Sequence, residues 1–441
     1  MNILNLIDRP QEWIEFVNKT IRPKEREKKL FGEVFTPLSL VNEMLDKMPK
    51  HVWKNKNLKW LEPGSGLGNF SICVYLRLMK GLRSVIKSKK ERKKHILENM
   101  IYMCELNPKN VMLCKMIMGG RRWTIKNETD EGWDFEEEMD YNLNIYEGDF
   151  LELDTEEEWG IEEFDIIVGN PPYQKSGIRA SGNTIWQSFV RKCLWELLKD
   201  KGYLSMIHPA GWRKPNTEKG KFTGMFEEMS QKNQMIYSEI HNTKDGQKMF
   251  QCGTRYDWYV LQKVKSKKRT KVLDEKGEMN EIDMNEWEWL PNFEFSLVEK
   301  LLKNSKKCKV VHSMSSYDPR KEWVSREKTG EFKYPIIHST TQKGTRFVYS
   351  STKDKGMFGV PKVIFGDGGI NTPVIDMKGK YGMTQHSMAI QIRNKKDGTL
   401  LSKFLVSDIF KNIIKACSWS SFAIEWGMFK DFSHKFWLIE L

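Results

Sequence analysis

Phe164-Asp165-Ile166-Ile167-Val168-Gly169-Asn170-Pro171-Pro172-Tyr173 decides how the rest of this 441-residue chain is read. Four apolar positions around one Asp give the pattern of a buried strand. Two consecutive prolines then end it. Proline lacks an N–H and restricts the residue before it, so the chain leaves the sheet in a stiff, extended turn. That turn presents the Asn170 amide, the carbonyls of Pro171 and Pro172, and the ring of Tyr173 at a strand's carboxyl end. In open α/β sheets, ligands bind at that edge.

The chemistry that suits such a turn is narrow. An exocyclic amino group on a base is planar, and its lone pair is delocalised into the ring. Two acceptors facing its two N–H donors localise that lone pair on nitrogen. The Asn170 side-chain oxygen and the Pro171 carbonyl are the candidates. Tyr173 is placed to stack on the base. The bland alternative is a rigid strand exit with a packed tyrosine.

Working outward, Leu58 to Leu61 reads as a strand leading into Glu62-Pro63-Gly64-Ser65-Gly66-Leu67-Gly68-Asn69. Glycines at a strand-to-helix turn let the backbone approach a ligand. The loop is neither a P-loop nor a clean dinucleotide fingerprint. A carboxylate at the strand end, Glu62, repels phosphate and suits a ligand with an amino group or hydroxyls, such as the amino-acid end of S-adenosylmethionine. Met100 to Glu105 is a second strand ending in an acid, where nucleoside-binding folds hold ribose. Residues 119–142 read as a charged excursion, and Leu143 to Phe150 as a third strand and turn carrying Asp149. Upstream, Phe35-Thr36-Pro37 opens a helix, with Thr36 as expected N-cap. Asp8 is the expected N-cap of an earlier helix. Downstream, Met249 to Gly253 puts the aromatic Phe250 in a loop, with Tyr256 and Trp258 close by. Strands alternate with helices over about 260 residues, which predicts a mostly parallel, doubly covered sheet.

Composition bounds the rest. No run of 18 apolar residues exists, which argues against a membrane span. Seven cysteines stand singly, with no C-x-x-C pair, which fits reduced thiols in a cytoplasm and no zinc site. The net charge of +13 fits a polyanionic partner. After residue 262 the pattern changes. Residues 266–289 read as a charged linker and 290–441 as a separate α+β domain, with tryptophans read as mostly core and interleaved basic residues suited to bases and phosphates.

The order Phe35-Thr36-Pro37, Glu62-Pro63-Gly64-Ser65-Gly66, Glu105, Asp149, Asn170-Pro171-Pro172-Tyr173 resembles the gamma class of DNA adenine-N6 methyltransferases of restriction–modification systems. The resemblance covers residues 31–265 by motif and the remainder by position. It implies a Rossmann-like S-adenosylmethionine methyltransferase sheet, 31–265, preceded by a helical segment, 1–30. A linker, 266–289, and a C-terminal α+β target-recognition domain, 290–441, follow. By resemblance, Phe35, Thr36, Pro37, Glu62, Gly64 and Gly66 hold the methionine part of S-adenosylmethionine, Glu105 the ribose and Asp149 the adenine. Asn170, Pro171, Pro172 and Tyr173 are catalytic, and Tyr173 and Phe250 stack the flipped base. No metal is expected, and S-adenosylhomocysteine is the product. The implied partner is duplex DNA, with a separate cognate endonuclease a further one; a cytoplasmic monomer is expected.

Asn at the head of the turn favours adenine over cytosine-N4 in this resemblance. Three rivals remain. RNA guanine-N2 and protein-glutamine methyltransferases carry similar turns. A fused restriction–modification enzyme would need a magnesium triad, which Asp318, Glu331 and Lys333 could spell. A binding module could retain the fold without the activity.

Overall fold

The computed structural model describes residues 3–20, 36–129, 132–175, 183–216, 220–419 and 424–439. The chain divides into two compact units. Unit one is Met1–Ala210 with Glu227–Glu286, and unit two is Gly211–Phe226 with Trp287–Leu441.

In unit one, α1 (Pro10–Thr20) and α2 (Leu38–Asp46) precede β1 (Trp60–Pro63). Then come α3 (Asn69–Gly81), α4 (Lys89–Asn99), β2 (Ile101–Glu105), α5 (Pro108–Gly119) and a hairpin of β3 (Arg122–Thr129) and β4 (Gly132–Glu138). They are followed by β5 (Asn144–Glu147), α6 (Thr155–Trp159), β6 (Phe164–Gly169), α7 (Trp186–Arg191), β7 (Leu198–Pro209), β8 (Gln234–His241), α8 (Thr243–Phe250) and β9 (Tyr256–Gln262). Two short strands close the unit, β10 (Thr270–Leu273) and β11 (Met279–Ile282). Nine strands form one sheet in the order β11-β10-β8-β9-β7-β6-β1-β2-β5. From β5 to β7 all neighbours are parallel. β9 runs antiparallel between β7 and β8. β1 and β2 are buried along their whole length, as strands covered on both faces must be.

The chain lays β1, β2 and β5 in one direction, then returns to place β6 and β7 on the other side of β1. The order therefore reverses between β1 and β6, which creates a crevice at their carboxyl ends. The α/β reading holds.

Several local expectations change. The stretch 266–289 is not a linker: β10 pairs parallel to β8, and β11 closes the edge antiparallel. Thr270 and Val272 are fully buried, whereas Lys271 between them is exposed, so a half-buried strand was masked by its charged face. Gln234 fixes the register: its Oε1 accepts from the N–H groups of Lys267 (2.9 Å) and Lys268 (2.8 Å). The excursion at 119–142 contains the β3–β4 hairpin. The N-terminal segment is not separate, since Leu6, Ile7 and Trp13 sit in the core of unit one. Asp8 is not an N-cap; it pairs with Lys93 at 2.6 Å.

Unit two holds two four-stranded sheets. Its strands are β12 (Val310–Val311), β13 (Val324–Ser325), β14 (Tyr334–Thr341), β15 (Gly344–Ser350), β16 (Lys362–Gly366), β17 (Gly369–Asp376), β18 (Gly382–Met383) and β19 (Ser387–Gln391). They pair as β12-β19-β16-β17 and β13-β15-β14-β18. Ile336, Ile337, Ile364 and Met383 fill a core cluster. Trp287, Trp289, Trp419 and Trp437 are buried, as core tryptophans should be. The charge is divided unevenly: unit two carries 29 Lys and Arg against 16 Asp and Glu, whereas unit one carries 43 of each, so the whole excess of +13 belongs to unit two.

The segment 211–226, expected inside the catalytic domain, belongs to unit two because of Arg213. Its buried guanidinium donates to the carbonyls of Leu290 (3.1 Å) and Pro291 (3.0 Å) and to Asn292 Oδ1 (3.1 Å). Its own carbonyl accepts from Leu290 N–H (3.1 Å). Truncation leaves those acceptors buried without their donor. Arg213→Ala should therefore destabilise unit two by roughly 3–5 kcal/mol. Urea denaturation followed by tryptophan fluorescence checks this, and a midpoint equal to wild type would contradict it.

Candidate active site

The crevice begins with the pairing of β1 and β6, in which Trp60 lies opposite Ile166 and Leu61 opposite Ile167. A Cβ at Gly169 would already touch Pro63 Cδ at 3.4 Å, so the two strand exits lie side by side. From β1 the chain enters the glycine loop. Gly64, Gly66 and Gly68 have φ of +74°, +55° and +76°, a region that side chains disfavour. Gly64 and Ser65 donate their N–H groups to the Cys104 carbonyl, both at 2.9 Å, which folds the loop over the end of β2.

Carboxylates sit at three successive strand exits. Glu105 is buried; its Oε2 accepts from Gly66 N–H at 2.6 Å and its Oε1 from Asn107 N–H at 2.8 Å. It thus fixes the glycine loop and the start of α5 together. Gly148 N–H donates to the Glu105 carbonyl at 3.0 Å, which brings the exit of β5 alongside. Asp149 follows, exposed, with Oδ1 accepting from Leu151 N–H at 2.9 Å. Glu62 is 3% exposed, and its Oε2 accepts from both the N–H (2.8 Å) and the hydroxyl (2.6 Å) of Ser71. It supports the first turn of α3 from beneath the loop.

Thr36 joins this loop to the proline turn. Its carbonyl accepts from Asn69 Nδ2 at 2.9 Å, and its Oγ1 accepts from Asn170 Nδ2 at 3.1 Å. The hydroxyl is therefore not a helix cap: Pro37 takes the N-cap place of α2 with no side-chain cap bond. Phe35 lies outside the described residues. The second join is direct, because a Cβ at Gly64 would lie 3.6 Å from Pro172 Cδ. Pro171 is buried, while Asn170, Pro172 and Tyr173 are half-buried. With Nδ2 held by Thr36, the Asn170 amide plane is fixed, and with it the direction of its oxygen.

Beyond the turn stand aromatic rings. Tyr173 meets Phe250 edge-on, with centroids 6.4 Å apart and planes at 78°. Phe250 meets Tyr256 at 5.0 Å and 77°, and His241 stacks on Tyr256 at 4.4 Å and 12°. The predicted pair is brought together, but as a corner rather than two parallel walls. Burial pushes the Tyr173 hydroxyl well up from its ordinary range. Phe250 is not in a loop but ends α8, which a capping box between Asn242 and Asp245 starts. The spacing Asn242-x-x-Asp245 was a visible signal for that helix. The Thr36–Asn170 link and the His241–Tyr256 stack had none.

Of the candidate magnesium triad, Asp318 is engaged by a neighbouring cation: it accepts from Arg320 Nε (3.0 Å) and Nη2 (2.5 Å), and that guanidinium holds its carboxyl well below the usual range. Among the described residues, no group of three or more His, Cys, Asp or Glu is placed to hold a metal ion. No helix among them is long and apolar enough to cross a membrane.

Burial pushes the Glu62 carboxyl up to about 8, against the opposing hydrogen bonds from Ser71. Its folded pKa thus lies above its unfolded one. The folded state holds this proton more tightly, so the stabilisation is complete below about pH 4.5 and is lost as pH rises towards 8. Glu62→Gln should remove that loss. Relative to wild type, the variant should gain on the order of 3 kcal/mol between pH 5 and pH 9. Urea midpoints across that range decide it; parallel pH profiles for both proteins would rule it out.

Residues 99–250 match the family model described as Eco57I restriction-modification methylase. An uncharacterized adenine-specific methylase of Mycoplasma pneumoniae is 30% identical over 236 residues, covering 41% of this chain and 55% of the relative. The modification methylase CviBIII of Paramecium bursaria Chlorella virus NC1A is 38% identical over 79 residues, 16% of this chain and 19% of the relative. The chain therefore spans about half the length of the first of these and about a fifth of the second. The type IIL restriction-modification enzyme MmeI, solved in complex with DNA, shares the fold with a TM-score of 0.53 at 9% identity, covering 91% of this chain and 68% of that one. Residues 99–250 are thus similar to the Eco57I restriction-modification methylase family, and the chain shares its fold with MmeI.

Proposed function

We propose that the chain transfers a methyl group from S-adenosylmethionine to the N6 amino group of adenine in duplex DNA. In this reading it is the modification component of a restriction–modification system, acting in the cytoplasm, with unit two as its target-recognition domain. The observation that carries the proposal is the double hydrogen bond of Thr36, which ties the helix after the glycine loop to the Asn170 amide.

The crevice fits the cofactor. The positive-φ glycines put no side chain over the loop, so a ligand can approach its backbone closely, and acids rather than bases stand at the strand exits. Thr36, Pro37, Gly64, Gly66 and Glu62 would line the methionine end, with Phe35 beside them. Glu105 would meet the ribose and Asp149 the adenine ring. Bound there, S-adenosylmethionine supplies a sulfonium-bound methyl as the electrophile and leaves as S-adenosylhomocysteine. Among this chain's residues, Asn170 Oδ1 and the Pro171 carbonyl accept the two amino hydrogens of the target base and return the lone pair to nitrogen. Tyr173 and Phe250 flank the flipped ring. Taking the base out of the stack costs a few kcal/mol, which stacking on aromatic rings and contacts outside the pocket offset. Asn rather than Ser at the head of the turn favours adenine over cytosine. The names of the two curated relatives, an adenine-specific methylase and a modification methylase, support the same assignment.

Asn170→Ala should lower methyl transfer by roughly 10²–10³-fold, the scale of loss when one preorganised polar group aimed at the reacting centre is removed. Its affinity for S-adenosylmethionine should stay within a few-fold of wild type. Tritiated methyl incorporation into duplex DNA, with calorimetric cofactor titration, measures both. Full activity in the variant would end this mechanism. Preferential labelling of RNA or protein by wild type, in competition with DNA, would move the assignment to the rival amino-group methyltransferases.

A further inference from the structure

Unit two carries the entire positive excess of the chain. Among its 16 Asp and Glu, Asp367 is a hydrogen-bonded carboxylate at a hairpin turn, with its side chain 25% exposed. It heads the turn between β16 and β17 and is held on all sides. Its N–H donates to the His386 carbonyl at 3.1 Å, and its own carbonyl accepts from Ile424 N–H at 2.9 Å. Its Oδ2 accepts from His386 Nδ1 at 3.2 Å, because an ionised carboxylate can only accept. The His386 ring is 49% exposed and meets the His338 ring edge-on at 5.2 Å. His338 is anchored in turn, with Nδ1 3.2 Å from Thr384 Oγ1 and its carbonyl accepting from Ser387 Oγ at 3.2 Å.

This edge is shared by two hairpins. Gly366 N–H donates to Thr340 Oγ1 at 2.8 Å, and Thr372 Oγ1 donates to the Thr341 carbonyl at 3.1 Å. The tips of β14–β15 and β16–β17 therefore lie together. Arg326 and Arg346 lie near enough to His338 to disfavour its charged form. Next to Asp367, Gly368 has open space where a side chain would stand. The tip thus carries no side chain next to Asp367 at Gly368, and the Asp367 carboxylate sits beside the paired His386 and His338 imidazoles.

Phosphate repels a carboxylate, so Asp367 weakens backbone contact. In the major groove it has one use. The hydrogen-bond donors there are the exocyclic amino groups, N6 of adenine and N4 of cytosine, and a carboxylate accepts from either. We infer that Asp367, oriented by His386, reads one such amino group in the recognition sequence of this chain. The inference rests on the proposed DNA methylation and names a residue through which the target is chosen. His386 is a positioning residue: it acts through Asp367.

Wild type, Asp367→Ala and His386→Ala would be expressed in cells lacking other adenine methylation, and methylated bases mapped by sequencing. Wild type should mark one motif. Asp367→Ala should mark the same motif with one position relaxed, discrimination there falling roughly ten- to a hundred-fold. His386→Ala should relax that same position by less, an outcome a merely structural role does not give. An unchanged motif in folded Asp367→Ala, judged by its circular-dichroism melt, overturns the inference. So does a uniform fall at all sites with the motif intact, which would make the pair a turn brace. If Asp367→Ala does not fold, an unchanged motif in folded His386→Ala overturns it equally. No methylation by wild type would sink the proposed function itself, a different failure.

Discussion

Two residue pairs of parallel strand, Trp60 with Ile166 and Leu61 with Ile167, fix the relation on which the site depends. They set the exit of β1 beside the exit of β6, at the place where the strand order reverses. A slip of one residue would turn every side chain of β6 to the opposite face. Asp165 opposes that: its Oδ2 accepts from Lys59 N–H at 2.8 Å, a bond that a slipped register would lose. Once the exits are adjacent, the glycine loop and the proline turn touch at Gly64 and Pro172, and Thr36 can bond to both. The site is preorganised by backbone geometry, and a few hydrogen bonds complete it.

Electrostatics divide the labour between the two units. Unit one is neutral in sum and places Glu62, Glu105 and Asp149 at consecutive strand exits. Glu105 and Asp149 there disfavour phosphate and suit amino and hydroxyl groups, whereas burial raises the Glu62 carboxyl to about 8 and removes most of its charge at neutral pH. Two of the three also build the pocket: Glu105 holds Gly66, and Glu62 holds Ser71. Unit two holds the whole positive excess, the sign that attracts a polyanion. Its buried charges are handled separately. Lys362 and Asp376 pair at 3.1 Å inside the sheet, and Lys362 also donates to the carbonyls of Met357 (2.8 Å) and Val360 (3.2 Å). Such a pair orders β16 and β17 without contributing to the surface field.

The stretch from Phe164 to Tyr173 was legible for a simple reason. A strand that ends in Asn-Pro-Pro has few ways to leave a sheet, and parallel strands with helical crossovers leave few ways to arrange the rest. The glycine loop and the acids at strand ends were legible because each lies next to its own strand. Charge hides other elements. Lys271 and Glu281 on one face of β10 and β11 give the composition of a linker, and polar residues at 119–142 that of a loop, although both stretches form paired strands. Thr36 and Asp8 have the chemistry of N-caps, but partners far along the chain take them.

The sequence by itself determined the sheet class, the identity of the groups at each strand exit and the stiff corner carrying Asn170, because these depend on near neighbours. Tertiary structure alone decided which of those exits meet. It also decided that Thr36 binds Asn170 from 134 positions away, that Phe250 ends a helix facing Tyr173, and that Arg213 draws residues 211–226 into the second unit. The reason is physical. Contacts between distant segments are selected by packing and by the need to satisfy buried polar groups, and neither leaves a periodic mark in the sequence.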